Sequence, residues 1–289
     1  MDSIDNTAAA AKQMRKKPIK KQRVFLYAFL IFYLILSLFP VLWMGITSFK
    51  EHQEIYTVPP TWVPEKPTLR NYVESLRDRP FGVYVVNSLY VALSVVALSV
   101  VCGVLGGYGL ARFSFRGSRA VFGAILSSRL VPPIALVVPF NLIMIKFGLI
   151  DRLESLIVTY AFFILPFIVW VMKGFFEAIP QDLYDAARVD GASKFKTFLF
   201  VLLPITRPGI FAGAILAFLS SWNEFLFALT LTRKNAMTVP IGIVRYFDEY
   251  IDWGLIAGST VIAIIPAIVF ILFFQRYIVS GITAGAVKS

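Results

Sequence analysis

Six apolar runs, at about 24–46, 83–111, 119–147, 153–177, 208–231 and 255–279, dominate the chain. Each is about 20 residues or longer, the length of helix that crosses roughly 30 Å of hydrocarbon. In lipid a backbone must satisfy its own hydrogen bonds, so only helices or closed barrels span it. Runs this long without period-2 alternation mean helices. The sequence therefore predicts an all-α polytopic membrane protein with six transmembrane helices. Composition agrees: 58% of residues are hydrophobic and 16% charged, where a soluble domain carries about a quarter charged. Pro40, Pro132, Pro133, Pro139, Pro166 and Pro266 fall inside or near the ends of these runs and predict kinks.

The connections set the orientation. The arm before the first run is basic (Lys16, Lys17, Lys20, Lys21, Arg23). The run after it is too long for a secretory h-region and lacks a small-x-small cleavage site, so it reads as a retained first span. The second connection carries Arg112, Arg116 and Arg119 without an acid, and the fourth, about 178–207, carries Arg188, Lys194, Lys196 and Arg207. The alternate connections balance their signs. By the positive-inside bias both termini and the fourth connection of this multi-pass protein are expected in the cytoplasm. Trp43, Trp62, Trp222 and Trp253 are expected at the membrane interfaces.

Several chemistries are excluded or thin. The formal charge of +11 is scattered between apolar runs rather than gathered on one face, which argues against nucleic acid. Cys102 and His52 are each the only residue of their kind, so no intrachain disulfide and no His/Cys metal cluster can form. No phosphate loop of the GxxxxGK[ST] type is present, and no catalytic pair lies within the spans. Neither cofactor nor metal is expected in this chain. Gly103 and Gly107 form a GxxxG expected to mark close helix packing.

The fourth connection reads FFEAIPQDLYDAARVDGASKFKTFLFVLLP. Gln181 and Asp182 open a short helix, Gly191 permits a turn, and a second short helix follows until Pro204 interrupts it before span five. Such a helix–turn–helix knob is stiff, and its small-residue face suits a groove on a soluble partner; the alternative is an interfacial amphipathic hairpin that only anchors the loop. The order Asp185-Ala186-Ala187, three residues, Gly191, nine residues, then Val201, Leu203 and Pro204 resembles the EAA loop of ABC-importer membrane subunits. Asp185 stands for the usual Glu and Val201 for the usual Ile. NSLYVALSVVALS from Asn87, GYGLARFSFRG at 107–117, VPP at 131–133, FGLID at 147–151, ARVDGAS at 187–193, SWNEF at 221–225 and the closing FQRYIVSGITAGAVKS extend the likeness. Together they resemble the second permease subunit of carbohydrate-uptake ABC importers of the maltose-transporter type.

That resemblance implies the type I importer permease fold, with a basic arm at 1–23, a transmembrane domain at 24–279 and a tail at 280–289 that inserts between ATPase subunits. It implies a second homologous permease, two ATP-binding cassette ATPases that hold the ATP and Mg, an external solute-binding protein and a sugar-like substrate; membrane lipids are the remaining partner. The loop at 179–207 becomes the coupling element, with Asp185, Ala186, Ala187, Asp190, Gly191, Ala192 and Pro204 as its expected contact residues; Ala186 and Ala187 should fit closely in the ATPase groove. The outer loop at 232–254 would meet the binding protein through Tyr246, Phe247 and Tyr250, aromatics that equally suit the membrane interface. Polar residues within the spans give the pathway candidates Arg129, Ser220, Asn223 and Glu224. A direct Arg129–Glu224 pair is strained by their different depths. Asn87 and Asn141 read equally well as helix-end hydrogen bonders. A self-sufficient secondary transporter is the alternative, with Glu224 as its only acidic coupling candidate.

Overall fold

The computed structural model describes residues 20–113, 115–248 and 251–286, with helices and no strand among them. The helices are α1 (Lys20–Thr47), α2 (Phe81–Arg112), α3 (Ser118–Ser127, continued by a 3-10 turn to Leu130), α4 (Pro133–Lys146) and α5 (Leu153–Glu177). Then come α6 (Gln181–Val189), α7 (Lys194–Ile205), α8 (Arg207–Trp222), α9 (Leu226–Leu231), α10 (Val239–Asp248) and α11 (Trp253–Ala286). Four of them, α1, α2, α5 and α11, are by themselves long and apolar enough to cross a membrane; α3 with α4, and α7 with α8, each qualify only as a bent pair.

The α2–α5 pair forms the spine. A Cβ added at Gly103 would lie 2.4 Å from Ile168 Cγ2, and one at Gly107 would lie 2.7 Å from Met172 Cβ and 2.8 Å from the Lys173 backbone nitrogen. The GxxxG therefore packs α2 against α5, as its spacing predicts. A second small-residue step on α8 does the same for the third helix: Gly209 faces the Phe175 ring and Gly213 faces Ile168. Two apolar clusters result. One joins Phe81, Val91, Leu156, Phe218, Phe227 and Leu231; the other joins Tyr108, Ile168, Met172, Phe176, Ile179, Phe198 and Leu202 below it. By contrast α1 packs on α11 and leaves Val24, Phe25 and Phe32 exposed, a surface suited to lipid or to another subunit.

The third expected span is not a kinked continuous helix. Its two halves, Ser118–Leu130 and Pro133–Lys146, meet at 98°. Each residue before a proline is driven out of the helical region; here both Val131 and Pro132 precede one, and their ψ values of 121° and 130° are extended. The fifth is likewise interrupted. Instead of one helix over 208–231, α8 ends at Trp222 and α9 starts at Leu226. Pro204 lies within α7, whose turn widens to a π-helix over Phe198–Leu202, and the 71° bend falls at Thr206. The last helix runs on to Ala286, past the expected boundary at 279. At 34 residues it is about 51 Å long, well beyond the hydrocarbon thickness.

Trp222 does not sit at an interface. It is 4% exposed and stacks on Phe218 at 5.6 Å in the core. Trp43 and Trp62 instead form an edge-to-face pair at 5.4 Å at the end of α1, beside Phe39. Buried Lys50 lies over the Trp43 ring and donates to the Thr61 carbonyl, closing this end of the bundle.

Candidate functional site: the coupling turn and the clamped outer loop

The knob between α5 and α7 is built around one glycine. The Gly191 N–H donates to the Arg188 carbonyl and the Ala192 N–H to the Ala187 carbonyl, both at 3.0 Å. This is the Schellman arrangement, which requires a left-handed residue after the helix. Gly191 has φ +81°, and nothing lies within 4 Å of a Cβ placed there, so backbone conformation rather than space selects glycine. Ser193 then caps α7 by accepting from the Lys196 N–H at 3.3 Å. The segment DGAS thus ends one helix and starts the next within four residues.

Arg112, the last residue of α2, braces the knob. Its guanidinium donates to the Phe176 carbonyl at 2.9 Å, the Ile179 carbonyl at 2.8 Å and Gln181 Oε1 at 2.9 Å. These acceptors lie at the end of α5, in the α5–α6 hinge and at the start of α6, so α6 cannot tilt freely of α2. The aromatic cluster of Tyr108, Phe176 and Phe198, with centroids 4.6–6.2 Å apart, fills the space beneath. Of the expected contact residues, Asp185, Ala186, Asp190 and Gly191 are exposed. Ala187 is not: it is 9% exposed, on the side of α6 where Tyr184 packs against the Ile179 and Phe198 cluster. Two residues that sequence reasoning missed flank the turn outward, Val189 and Phe195, at 88% and 70% exposure.

At the other end of the bundle the chain after α9 is held by side chains from three elements. Asp151, in the α4–α5 connection, accepts from the backbone N–H groups of Arg233, Lys234, Asn235 and Ala236 at 2.9–3.1 Å. Its own N–H donates to the Leu231 carbonyl at 2.8 Å. Burial alone would raise the Asp151 carboxyl; the donors from Arg233, Ala236, Asn235 and Lys234 outweigh it and hold the group at about 2. Asn87 on α2 donates to the carbonyls of Asn235 and Met237, and Asn141 on α4 to that of Thr230, all at 2.9 Å. Ser88 accepts from the Val239 N–H at 2.8 Å. Both asparagines are therefore bound to backbone.

The other candidates separate. Tyr246 is 7% exposed and packs on Phe81 at 6.2 Å, so it belongs to the core and cannot present itself to an external partner. Phe247 is 40% exposed and lies edge-on to Trp253 at 5.5 Å. Tyr250 falls outside the described residues. Glu224 accepts from the Phe227 N–H at 2.9 Å and the Ala228 N–H at 3.1 Å, satisfying two first-turn donors of α9 just past the break in the fifth span. Asn223 donates back to the Leu219 carbonyl at 2.8 Å. Ser220 and Asn223 are exposed at this break. Arg129 makes no ion pair with Glu224; it lies at the break between α3 and α4 with its guanidinium 5.0 Å from the Phe167 ring centroid. Arg129 also lines a cleft of about 150 Å³ with Ser128, Phe162, Phe163 and Pro166.

Broken and unbroken spans, with a braced helical knob at one end and a clamped loop at the other, define a multi-pass membrane bundle. Residues 83–284 match the family described as binding-protein-dependent transport system inner membrane component, and the chain belongs to that family. The sulfoquinovosyl glycerol transport system permease of Agrobacterium fabrum is 37% identical, over 88% of this chain and 90% of its own. The trehalose/maltose transport system permease of Thermococcus litoralis is 36% identical over 95% and 99% respectively. A chain of a bacterial ABC transporter that imports the acidic polysaccharide alginate superposes with a TM-score of 0.77 at 22% identity, over 90% of this chain and 98% of that one. The protein is thus an inner-membrane ABC-importer permease, as its motifs predict, and not a self-sufficient secondary transporter.

Proposed function

We propose that this chain is one of two permease subunits of a sugar importer and that α6 with its Gly191 turn is the element an ATPase subunit grips. The braced turn carries the reading: a lever must be stiff to convert closure of a soluble motor into rotation of the spans. The Arg112 contacts and the Schellman turn supply that stiffness. Ala186, Val189, Asp190 and Phe195 form the contact face, with Asp185 and Ala192 at its margin and Ala187 holding α6 to its own core. Both termini and this knob face the cytoplasm, with ATP and Mg bound by the partner subunits.

The clamped loop after α9 faces the external binding protein, with Phe247 and the region around Tyr250 as contacts. The names of the relatives support a glycoside or disaccharide as substrate. Ser220, Asn223 and Arg129, exposed at the two helix breaks, line its route. The test is co-expression with the neighbouring ATPase, second permease and binding protein, followed by ATP hydrolysis in proteoliposomes with a panel of sugars. Stimulation by one sugar that depends on the binding protein and is lost in Val189→Asp supports the reading; hydrolysis indifferent to that substitution overturns the coupling face.

A further inference from the structure

We propose that the cleft between the end of α2 and the start of α3 binds an anionic phospholipid. A cleft of about 500 Å³ opens there, lined by Arg112, Phe113, Phe115, Gly117, Ser118 and Arg119. Residues 112–130 include four arginines and no acid. Arg112 is spent on the α5–α6 hinge, but Arg116 and Arg119 are exposed and, among the described residues, neither makes a hydrogen bond or an ion pair. The Ser118 N–H donates to the Phe115 carbonyl, which leaves the Arg119 and Ala120 N–H groups of the first turn of α3 without an intrahelical acceptor. Arg119 and the first turn of α3 line the mouth, and Arg116 lies in the adjoining loop.

The mouth continues into a second cleft of about 440 Å³ that shares Leu110, Phe113 and Phe115 with it. The remaining wall is Gly106, Gly109, Val121, Ile125 and Val169, with no polar side chain. Gly106 and Gly109 lie on α2 one to two turns inward from Arg112, and Val121 and Ile125 one turn apart on α3, so the groove runs along both helices away from the charges. A ligand that fills both parts has an anionic head and an acyl chain. Basic pockets beside spanning helices at headgroup depth take such lipids. The head would sit beside Arg112, whose other face holds the Ile179 carbonyl. Occupancy therefore bears directly on the brace of α6.

The test measures thermal unfolding and native mass spectra of the detergent-purified importer complex titrated with phosphatidylglycerol, phosphatidylcholine or inorganic phosphate. Only phosphatidylglycerol should stabilise it, with retained adducts. The double variant Arg116→Gln/Arg119→Gln should bind it about thirtyfold more weakly. Its lipid-free unfolding temperature should be unchanged, since among the described residues neither side chain has a bonding partner. Gly109→Leu, which meets no atom within 4 Å at its Cβ, should fill the groove and weaken binding with the charges intact. Equal stabilisation by phosphatidylcholine or by phosphate, or undiminished binding in both variants, would overturn the proposal. So would no lipid effect at all, the result if a partner subunit covers the cleft.

Discussion

Asp151 holds Asn235 with both carboxylate oxygens: the Asn235 backbone N–H lies 3.0 and 3.1 Å from Oδ1 and Oδ2, and its side-chain nitrogen 2.8 Å from Oδ2. The two residues are 84 positions apart, so this contact exists only once α4, α5 and α9 have assembled. Asp151→Ala should loosen the loop, which Asn87, Ser88 and Asn141 continue to hold. Hydrogen exchange at residues 233–236 should rise about tenfold, equivalent to roughly 1.4 kcal/mol, the scale of one charge-assisted hydrogen bond at a partly exposed site. Asp151→Asn keeps one acceptor and tolerates the left-handed φ of 60° found at this position, so its effect should be smaller.

The same carboxyl makes a pH prediction. Its folded value of about 2 lies below the ordinary 3.8, so the ionised form is favoured by folding. That contribution is complete above about pH 4 and disappears as pH falls through about 2. Limited proteolysis at the 232–238 segment should therefore turn on over this interval in the wild type. Asp151→Ala should be cleaved at every pH.

Gly191 offers a test of conformation against space. Gly191→Ala forces a side-chain-bearing residue into the left-handed region at a cost of about 1–2 kcal/mol, although its Cβ touches nothing. Gly191→Asn should cost less. In the reconstituted importer the alanine variant should hydrolyse ATP with reduced uptake per ATP, and the asparagine variant should sit between it and wild type.

Arg112→Lys should behave as a loss. A lysine ammonium cannot span the two carbonyls and Gln181 as the planar fork does. Exchange in α6 should accelerate several-fold while the α2–α5 spine stays protected, a pattern that global destabilisation would not give.

Along the spine, Gly107→Ala should lower the unfolding temperature strongly, because its new Cβ meets the Lys173 backbone nitrogen at 2.8 Å. Gly109→Ala, two positions on and facing open space, should be neutral or slightly stabilising.

Much of this architecture is readable from residues alone, and the failures have a common cause. Gly103 and Gly107 announce a close crossing because only small residues permit one. Gly191 followed by Ser193 announces a helix end and a new start because both signals are local. Asp151 is invisible by the same logic: it looks like one more loop acid until the fold brings residues 233–236 to it. Trp222 and Tyr246 sit where interfacial aromatics belong, and only tertiary packing shows that their rings point inward. Glu224 reads as a costly buried charge, yet its carboxylate holds two backbone donors in the first turn of the helix that follows it. Hydropathy averages over such residues, so it finds six runs and misses where two of them break.

The α9–α10 segment has no independent footing. Its backbone is pinned by Asn87 from α2, Asn141 from α4 and Asp151 from the turn that precedes α5. A stretch fastened at three such points cannot flap; it travels with the helices that carry it. Any swing of those rods is therefore displayed at the surface at full amplitude, like the hand of a dial fixed to its shaft.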